Sequence, residues 1–286
     1  MDVAIGLPAT IPGTTGEEIV EWARRAERRG FSSLGTIDRI VYGNYEPLIA
    51  LSAAAAVTER IKLSTNVLLA PLRSNTALLA KQAASLQELS SGRLVLGVAV
   101  GGRPDDFDVS GVDFHSRGKI FDRQLEEMKR VWAGEEKGMA GPIGPNVEQP
   151  PQLIIGGSVN AAFRRAAEYG DGWIMGGGTP DQFRDGVAKL EEAWRSAGRE
   201  GEPRKMALAY YSLGPEAEAN AQSYLRDYYG WLGDEVAGAV AASAATSPDM
   251  VKQYIAAFEQ YGCDEFTLFP CSSDPEQVDL LADARS

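Results

Sequence analysis

Eight short apolar runs of strand type recur along the whole chain, and each is followed by residues with helical spacing. The runs are Val3 to Leu7, Ser33 to Ile37, Ile61 to Leu69, Arg93 to Val100, Leu153 to Ile155, Trp173 to Met175, Met206 to Tyr211 and Phe266 to Phe269. Strands that alternate with helices need crossover connections, so the sheet they form is parallel, and eight such units close into a (β/α)8 TIM barrel. The 286 residues suit one barrel, read as a single domain over 1–286. A doubly wound open sheet is the alternative, but no G-x-G-x-x-G follows the first strand.

Helix starts are marked by their own chemistry. Thr15-Gly-Glu-Glu18 is a capping box, and Ile19, Trp22, Ala23 and Ala26 then fall on one face before Gly30 stops the helix. Thr179-Pro180, Ser247-Pro248 and Asp274-Pro275 each place an N-cap before a proline at the first helical position. The irregular stretch 134–150, with Gly138, Gly141, Pro142, Gly144 and Pro145, reads as a surface excursion bordering the active site.

Composition excludes several classes. A formal charge of -12 argues against a nucleic-acid partner, and no apolar run is long enough to span a bilayer. Met1-Asp2-Val3 opens without a basic or signal-type stretch, which reads as cytoplasmic. Cys263 and Cys271 stand in no metal or redox spacing and read as packed thiols. Trp22, Trp132 and Trp194 lie at helical spacing and read as core. The single histidine, His115, precedes a helix start, so a Ser-His-Asp or Cys-His hydrolase and a metal centre both lack their residues. A bound cofactor is left to carry any chemistry.

In a barrel the working residues lie in loops after the strands. Gly156-Gly157-Ser158 joins a strand to a helix, with Ser158 as a plausible N-cap, and Gly176-Gly177-Gly178 repeats the pattern one strand later. Each turn reads either as an anion cradle of free backbone N–H groups or as a tight turn that needs glycine for geometry alone. After the second strand, Asp38 and Arg39 read either as an ion pair at the barrel mouth or as ligand contacts.

Several stretches together resemble the luciferase-like monooxygenases: Glu46-Pro-Leu-Ile-Ala-Leu51, Arg60-Ile-Lys-Leu-Ser-Thr-Asn-Val67, Leu79-Ala-Lys-Gln82, Ser91-Gly-Arg-Leu-Val-Leu-Gly97, Gly101-Gly-Arg-Pro-Asp-Asp-Phe107, and Gly156-Gly157-Ser158 running to Asp171-Gly-Trp173. The resemblance covers residues 1 to about 200 in one order; beyond Gly201 only the helix-strand-helix pattern matches. It implies an eight-stranded barrel, commonly a homodimer, that binds reduced FMN or the deazaflavin coenzyme F420 at its mouth. It implies that the ring lies near Asp38, Ser64, Thr65, Asn66 and Val67, with Gly101 in the cofactor set. The phosphate is implied at Gly156, Gly157 and Ser158, with Gly176 and Gly177 close by. A non-proline cis peptide often found in the third strand of the family matches the step Asn66-Val67.

Two departures stand out. Arg39 occupies a position where many members carry histidine, and a permanent cation is no proton shuttle. The stretch 134–150 lacks the Phe-x-Gly-x-x-Tyr usual there, so the resemblance does not reach substrate recognition. The resemblance implies an enzyme that uses reduced FMN and oxygen on a small organic substrate, with Asp38 and Arg39 as its catalytic pair and a separate flavin reductase as partner. F420-dependent hydride transfer and a non-catalytic flavin-binding barrel are the alternatives. On this reading Arg39→Ala slows turnover and leaves the melting temperature nearly unchanged.

Overall fold

The computed structural model describes residues 1–286. Eight strands form the barrel: β1 (Asp2–Gly6), β2 (Ser33–Thr36), β3 (Lys62–Thr65, resuming at Leu68–Leu69), β4 (Leu94–Ala99), β5 (Gln152–Gly156), β6 (Gly172–Met175), β7 (Arg204–Tyr211) and β8 (Glu265–Pro270). Each pairs in parallel with the next in chain order. The ring closes where β1 meets β8, through Val3 opposite Phe266 and Ile5 opposite Leu268. The expected TIM barrel is therefore the fold, and the open sheet is excluded. Its third strand is not the single run expected over Ile61 to Leu69: it breaks at a cis peptide between Asn66 and Val67, the step that the resemblance implied.

The helices are α1 (Gly16–Arg28), α2 (Pro47–Ala55), α3 (Thr76–Leu89), α4 (Pro104–Val109), α5 (Arg117–Trp132), α6 (Asn160–Tyr169), α7 (Pro180–Ser196), α8 (Ala217–Tyr229), α9 (Asp234–Ala242), α10 (Pro248–Gln260) and α11 (Glu276–Ala284). The expected capping boxes form at Thr15 with Glu18 and at Thr179 with Gln182. Ser247 caps α10 by accepting from the Met250 amide. Two caps differ from expectation. Pro275 occupies the cap position of α11, and Asp274 instead accepts from the Glu276 amide in a turn one residue earlier. Ser158 is not the cap of α6; Val159 holds that place, and no side chain satisfies the first turn.

Side chains alternate along each strand between two apolar layers. On β7, Ala207 and Tyr211 join the outer layer between strands and helices, where Trp22, Leu51, Leu86, Phe121 and Phe258 sit. Met206, Leu208 and Tyr210 point into the barrel with Val95, Ile154, Ile174 and Phe269. The inner layer is tight enough to dictate glycine. A Cβ on Gly6 would lie 2.2 Å from the Phe269 ring, and one on Gly97 would lie 2.0 Å from the Thr65 carbonyl.

Two excursions leave this frame. The stretch 134–150 links the end of α5 to the start of β5, which places it at the floor of the barrel, where Gln87 of α3 donates to the Gln149 carbonyl at 3.0 Å. The expectation that it borders the active site is thus wrong: an α-to-β connection lies at the opposite end from the mouth. The excursion at the mouth follows β7 instead, where α8, a single turn over Gly230–Leu232 and α9 fold across the opening. Tyr224 anchors it to Thr10 through a 2.6 Å hydroxyl contact, and Tyr42 donates to Asp227 at 2.5 Å.

Candidate active site

Asp38 and Arg39 are neighbours in sequence but not partners. The Asp38 carboxylate accepts from the Leu69 amide at 2.7 Å and from two nitrogens of Arg73 at 2.6 and 3.2 Å. Arg73 also reaches Glu46 at 2.9 Å. Arg39 turns the other way and donates through Nε to Asp106 at 2.8 Å, while the second Asp106 oxygen accepts from the amides of Ile40 at 3.0 Å and Val41 at 2.8 Å. The Asp106 side chain is 0% exposed and that of Arg39 only 5%. The segment after β2 is therefore clamped from both sides, by Arg73 after β3 and by Asp106 on α4. The expected ion pair between Asp38 and Arg39 does not exist. Because the Arg39 pair is buried, its loss is now expected to lower the melting temperature rather than leave it nearly unchanged.

Burial is the largest influence on both Asp38 and Arg73, and it opposes charge on each. For Arg73 the carboxylates of Asp38 and Glu46 outweigh it and raise the guanidinium further; for Asp38 burial prevails and lifts the carboxyl above its ordinary value. Two nitrogens facing two oxygens, with an amide on the same carboxylate, is the geometry of an ionised pair, and we read it so.

Two adjoining cavities open at the mouth. The first, about 280 Å³, is lined by Ile37, Asp38, Arg39, Asn66, Val67, Leu69, Gly101, Arg103, Asp106, Tyr228 and Trp231 among others. The second, about 600 Å³, is lined by Gly176, Gly177, Gly178, Thr179, Ala209, Glu235, Val240 and Tyr254 among others. Gly176, Leu208, Tyr210 and Tyr229 line both, so the two form one cleft. Its size is that of a site for a small organic molecule or cofactor.

Of the residues expected from sequence, Asp38, Arg39, Asn66, Val67 and Gly101 meet in the first cavity, Gly177 lines the second, and Gly176 lines both. Ser64 and Thr65 lie in the barrel wall, where the Thr65 hydroxyl donates to the Gly97 carbonyl at 2.7 Å. Gly156, Gly157 and Ser158 line neither cavity. Gly156 rests on the Val67 side chain, and the Gly157 carbonyl accepts from the Trp173 indole at 2.6 Å. The two glycine turns are neighbours all the same, because Gly156 pairs with Ile174 two residues before Gly176. The amides of Gly157, Ser158 and Val159, and those of Gly177 and Gly178, donate to no group in the protein. Gly157, Gly177 and Gly178 have φ of 129°, 104° and 130°, a region open to glycine, so geometry and free amides coincide in these turns. His115 sits on an exposed turn before α5 with its ring against Phe114.

The sequence reading missed Arg73, Asp106 and the aromatic cover. Tyr228 packs edge-on to Tyr42 at 5.0 Å, and the Arg39 guanidinium lies 5.7 Å from the Tyr228 ring centre. Arg103 lies 5.2 Å from the Trp231 ring centre. Tyr210 and Tyr229 share a hydroxyl contact of 2.9 Å. The cluster Tyr228-Tyr229-Gly230-Trp231 was visible as four residues rich in aromatics, but only the fold brings it over the mouth. No three His, Cys, Asp or Glu side chains converge to hold a metal ion, and no helix is long and apolar enough to cross a membrane.

Comparison with known proteins agrees with this architecture. An uncharacterized protein of Mycobacterium tuberculosis (strain H37Rv) is 33% identical over 207 residues, 62% of this chain and 71% of that protein. The F420-dependent glucose-6-phosphate dehydrogenase of Amycolatopsis mediterranei is 28% identical over 191 residues, 61% of this chain and 57% of that enzyme. Among solved structures, an F420-dependent secondary alcohol dehydrogenase in complex with an F420-acetone adduct superposes with a TM-score of 0.83 at 22% identity, covering 100% of both chains. The monooxygenase RslO1 from Streptomyces bottropensis gives a TM-score of 0.76 at 23% identity over 99% of this chain and 98% of that one. At such identities these structures speak for the fold alone. The sequence profile described as luciferase-like monooxygenase matches residues 1–278, and the chain belongs to that family.

Proposed function

We propose that this protein is an oxidoreductase that binds a flavin-type cofactor in the mouth cleft, and that it uses reduced FMN and oxygen on a small organic substrate. One observation carries the reading: every carboxylate and guanidinium lining the first cavity is engaged in an ion pair, and no histidine or thiol is among the lining groups. Such a site has binding surface but no serine, cysteine or histidine to act as nucleophile, so the redox step falls to a cofactor that the residues orient and enclose.

The residues present fit that group. Asn66 Oδ1 is buried without a hydrogen-bond partner beside the cavity that it lines, an acceptor available to a polar heterocycle. Asn66 and Val67 would back the ring, with Leu208 and Tyr210 beside it. The free amides of the two glycine turns would take the phosphate, since the cavities bring no unpaired cation to it. When bound there, reduced FMN would supply the two electrons that an oxygenation needs beyond those of the substrate, with one oxygen atom passing to the substrate and the other to water. The protein's part is to hold the ring, to keep Arg39 and Asp38 fixed at its edge, and to exclude water beneath the cover of α8 and α9.

A second reading, hydride transfer with F420, is favoured by the likeness in sequence to the F420-dependent glucose-6-phosphate dehydrogenase of Amycolatopsis mediterranei. A homodimer through α2 and α3 and a partnering flavin reductase belong to the same proposal; Ile49 and Leu78 are exposed on those helices. The test is to titrate the protein with FMN and with F420, follow the absorbance change, and then measure oxygen uptake with a reductase present. Binding of FMN with oxygen uptake supports the first reading. Binding of F420 without uptake supports the second, and binding without turnover of any substrate supports a non-catalytic barrel.

A further inference from the structure

The titratable side chains of the mouth divide into those already engaged and those still free to exchange a proton. Asp38, Arg39, Arg103 and Asp106 are all held in ion pairs. The titratable groups left are Glu235, on the far side of the second cavity, and tyrosines, and among the tyrosines Tyr229 has a distinct position. It lines both cavities, it is half-buried where Tyr210 is buried, and its hydroxyl stands 2.9 Å from that of Tyr210.

Resting on the reading of this cleft as a cofactor-dependent site, we propose that the Tyr229 hydroxyl exchanges a proton with the substrate, and that the substrate carries an alcohol, phenol or carbonyl oxygen at the reacting position. The step is a plain proton transfer. The O–H bond of Tyr229 breaks, an O–H bond forms on the substrate oxygen, and the electron pair stays on the tyrosine oxygen. The phenolate so formed receives the Tyr210 hydroxyl as donor and is favoured by the charge of Arg39, and water reprotonates it from the open side of the cleft. The reverse transfer serves an alcohol or phenol that must lose its proton.

The groups facing Tyr229 come from several elements: Tyr210 on β7, Arg39 after β2, Cys271 after β8, Tyr228 beside it on α8, and Glu235 on α9 across the second cavity. Burial raises the Tyr229 hydroxyl above its ordinary value, while the hydrogen bond from Tyr210 and the charge of Arg39 pull it back; Cys271 adds a small push upward. Burial of Tyr210 and Tyr228 raises theirs as well, and Tyr210 is raised further by Tyr229. Tyr229 is thus protonated at rest; Arg39 also acts on Tyr228, but Tyr228 is buried and lines the first cavity alone, whereas Tyr229 is half-buried, lines both cavities and has the Tyr210 hydroxyl beside it.

The test uses 4-nitrophenol as probe, because its phenol and phenolate absorb differently. The proposal expects wild-type protein to bind the phenolate, seen as a rise in the phenolate band at a pH where the free probe is largely protonated. Tyr229→Phe keeps the ring and removes only the hydroxyl; it should weaken phenolate binding at least tenfold with an unchanged circular dichroism spectrum. Tyr210→Phe should give a smaller loss, since it removes the supporting donor alone. No phenolate binding by the wild type at millimolar probe, or equal affinity in wild type and Tyr229→Phe, overturns the proposal. Separate titration of the wild type with FMN and F420 scores the cofactor reading on its own: failure of both with a Tyr229-dependent phenolate signal removes that reading and leaves the tyrosine assignment.

Discussion

Replacing Arg39 by alanine tests the clamp that shapes the mouth. The substitution leaves the Asp106 carboxylate, 0% exposed, with the amides of Ile40 and Val41 but no counter-charge in contact. Breaking a buried pair by removing one partner costs about 3–5 kcal/mol. The two amides retain part of the stabilisation of Asp106, which sets the expectation at the lower end, about 3 kcal/mol. At about 2–4 °C per kcal/mol for a large domain, the melting temperature should fall by about 6–12 °C. Asp106→Asn should fall comparably, because its amide keeps an oxygen for the two N–H groups but turns an NH2 toward the guanidinium. The double variant Arg39→Ala/Asp106→Asn should lose less than the sum of the two, the mark of a direct interaction. Thermal unfolding followed by circular dichroism reads all three. A drop below about 2 °C for Arg39→Ala would show that the pair contributes no more than a surface bridge and would refute the reasoning.

Gly176→Asp is expected to weaken binding of a phosphate-bearing cofactor at unchanged melting temperature, since a Cβ there meets nothing within 4 Å and its φ is not in the left-handed region; equal affinity by titration would remove the second glycine turn from the cradle. Both thiols should resist a disulfide reagent at about pH 8 until the protein unfolds, because Cys263 and Cys271 are 4% and 3% exposed and burial pushes the Cys263 thiol up to about 12. Stability should decline in alkali: burial raises Tyr210, Tyr211, Tyr224, Tyr228 and Tyr229 in the fold, so their contribution is complete below the unfolded value of about 10 and is lost as pH rises beyond it. Guanidinium midpoints that stay flat between about pH 8 and 11 would contradict this. Sedimentation at micromolar concentration should show a dimer that Ile49→Glu with Leu78→Glu converts to monomer; a wild-type monomer would count against the proposed interface.

The barrel was legible because its signals are local. Alternation of apolar strands with capped helices is written in Thr15, Thr179 and Ser247, whose hydroxyls meet amides three residues on. Even the break in β3 could be placed at Asn66-Val67 from a resemblance carried by the flanking residues. What was hidden depends on distance in the chain. Asp38 and Arg39 looked like a pair because they are adjacent, yet successive side chains after a strand turn apart, and their partners Arg73 and Asp106 lie 35 and 67 residues away. The stretch 134–150 drew attention through its glycines and prolines, but those residues mark a turn and say nothing of which end of the barrel it occupies. Tyr228, Tyr229 and Trp231 lie on the excursion after β7, where neither periodicity nor resemblance gave a hold; only the packing of α8 on Thr10 and Tyr42 places them over the cleft.

In the proposed site the mouth cleft holds a flavin-type cofactor by its ring in the barrel and by its phosphate on the glycine turns. The most direct measurement compares FMN with riboflavin, which shares the ring and lacks the phosphate, by fluorescence titration of the full chain. FMN should bind saturably, with riboflavin weaker by at least about tenfold, or about 1.4 kcal/mol. If F420 is the cofactor, the same difference should separate it from its dephosphorylated fragment. Equal affinity with and without phosphate would contradict the cradle, and absence of binding by both cofactors would contradict a flavin-type site in this cleft.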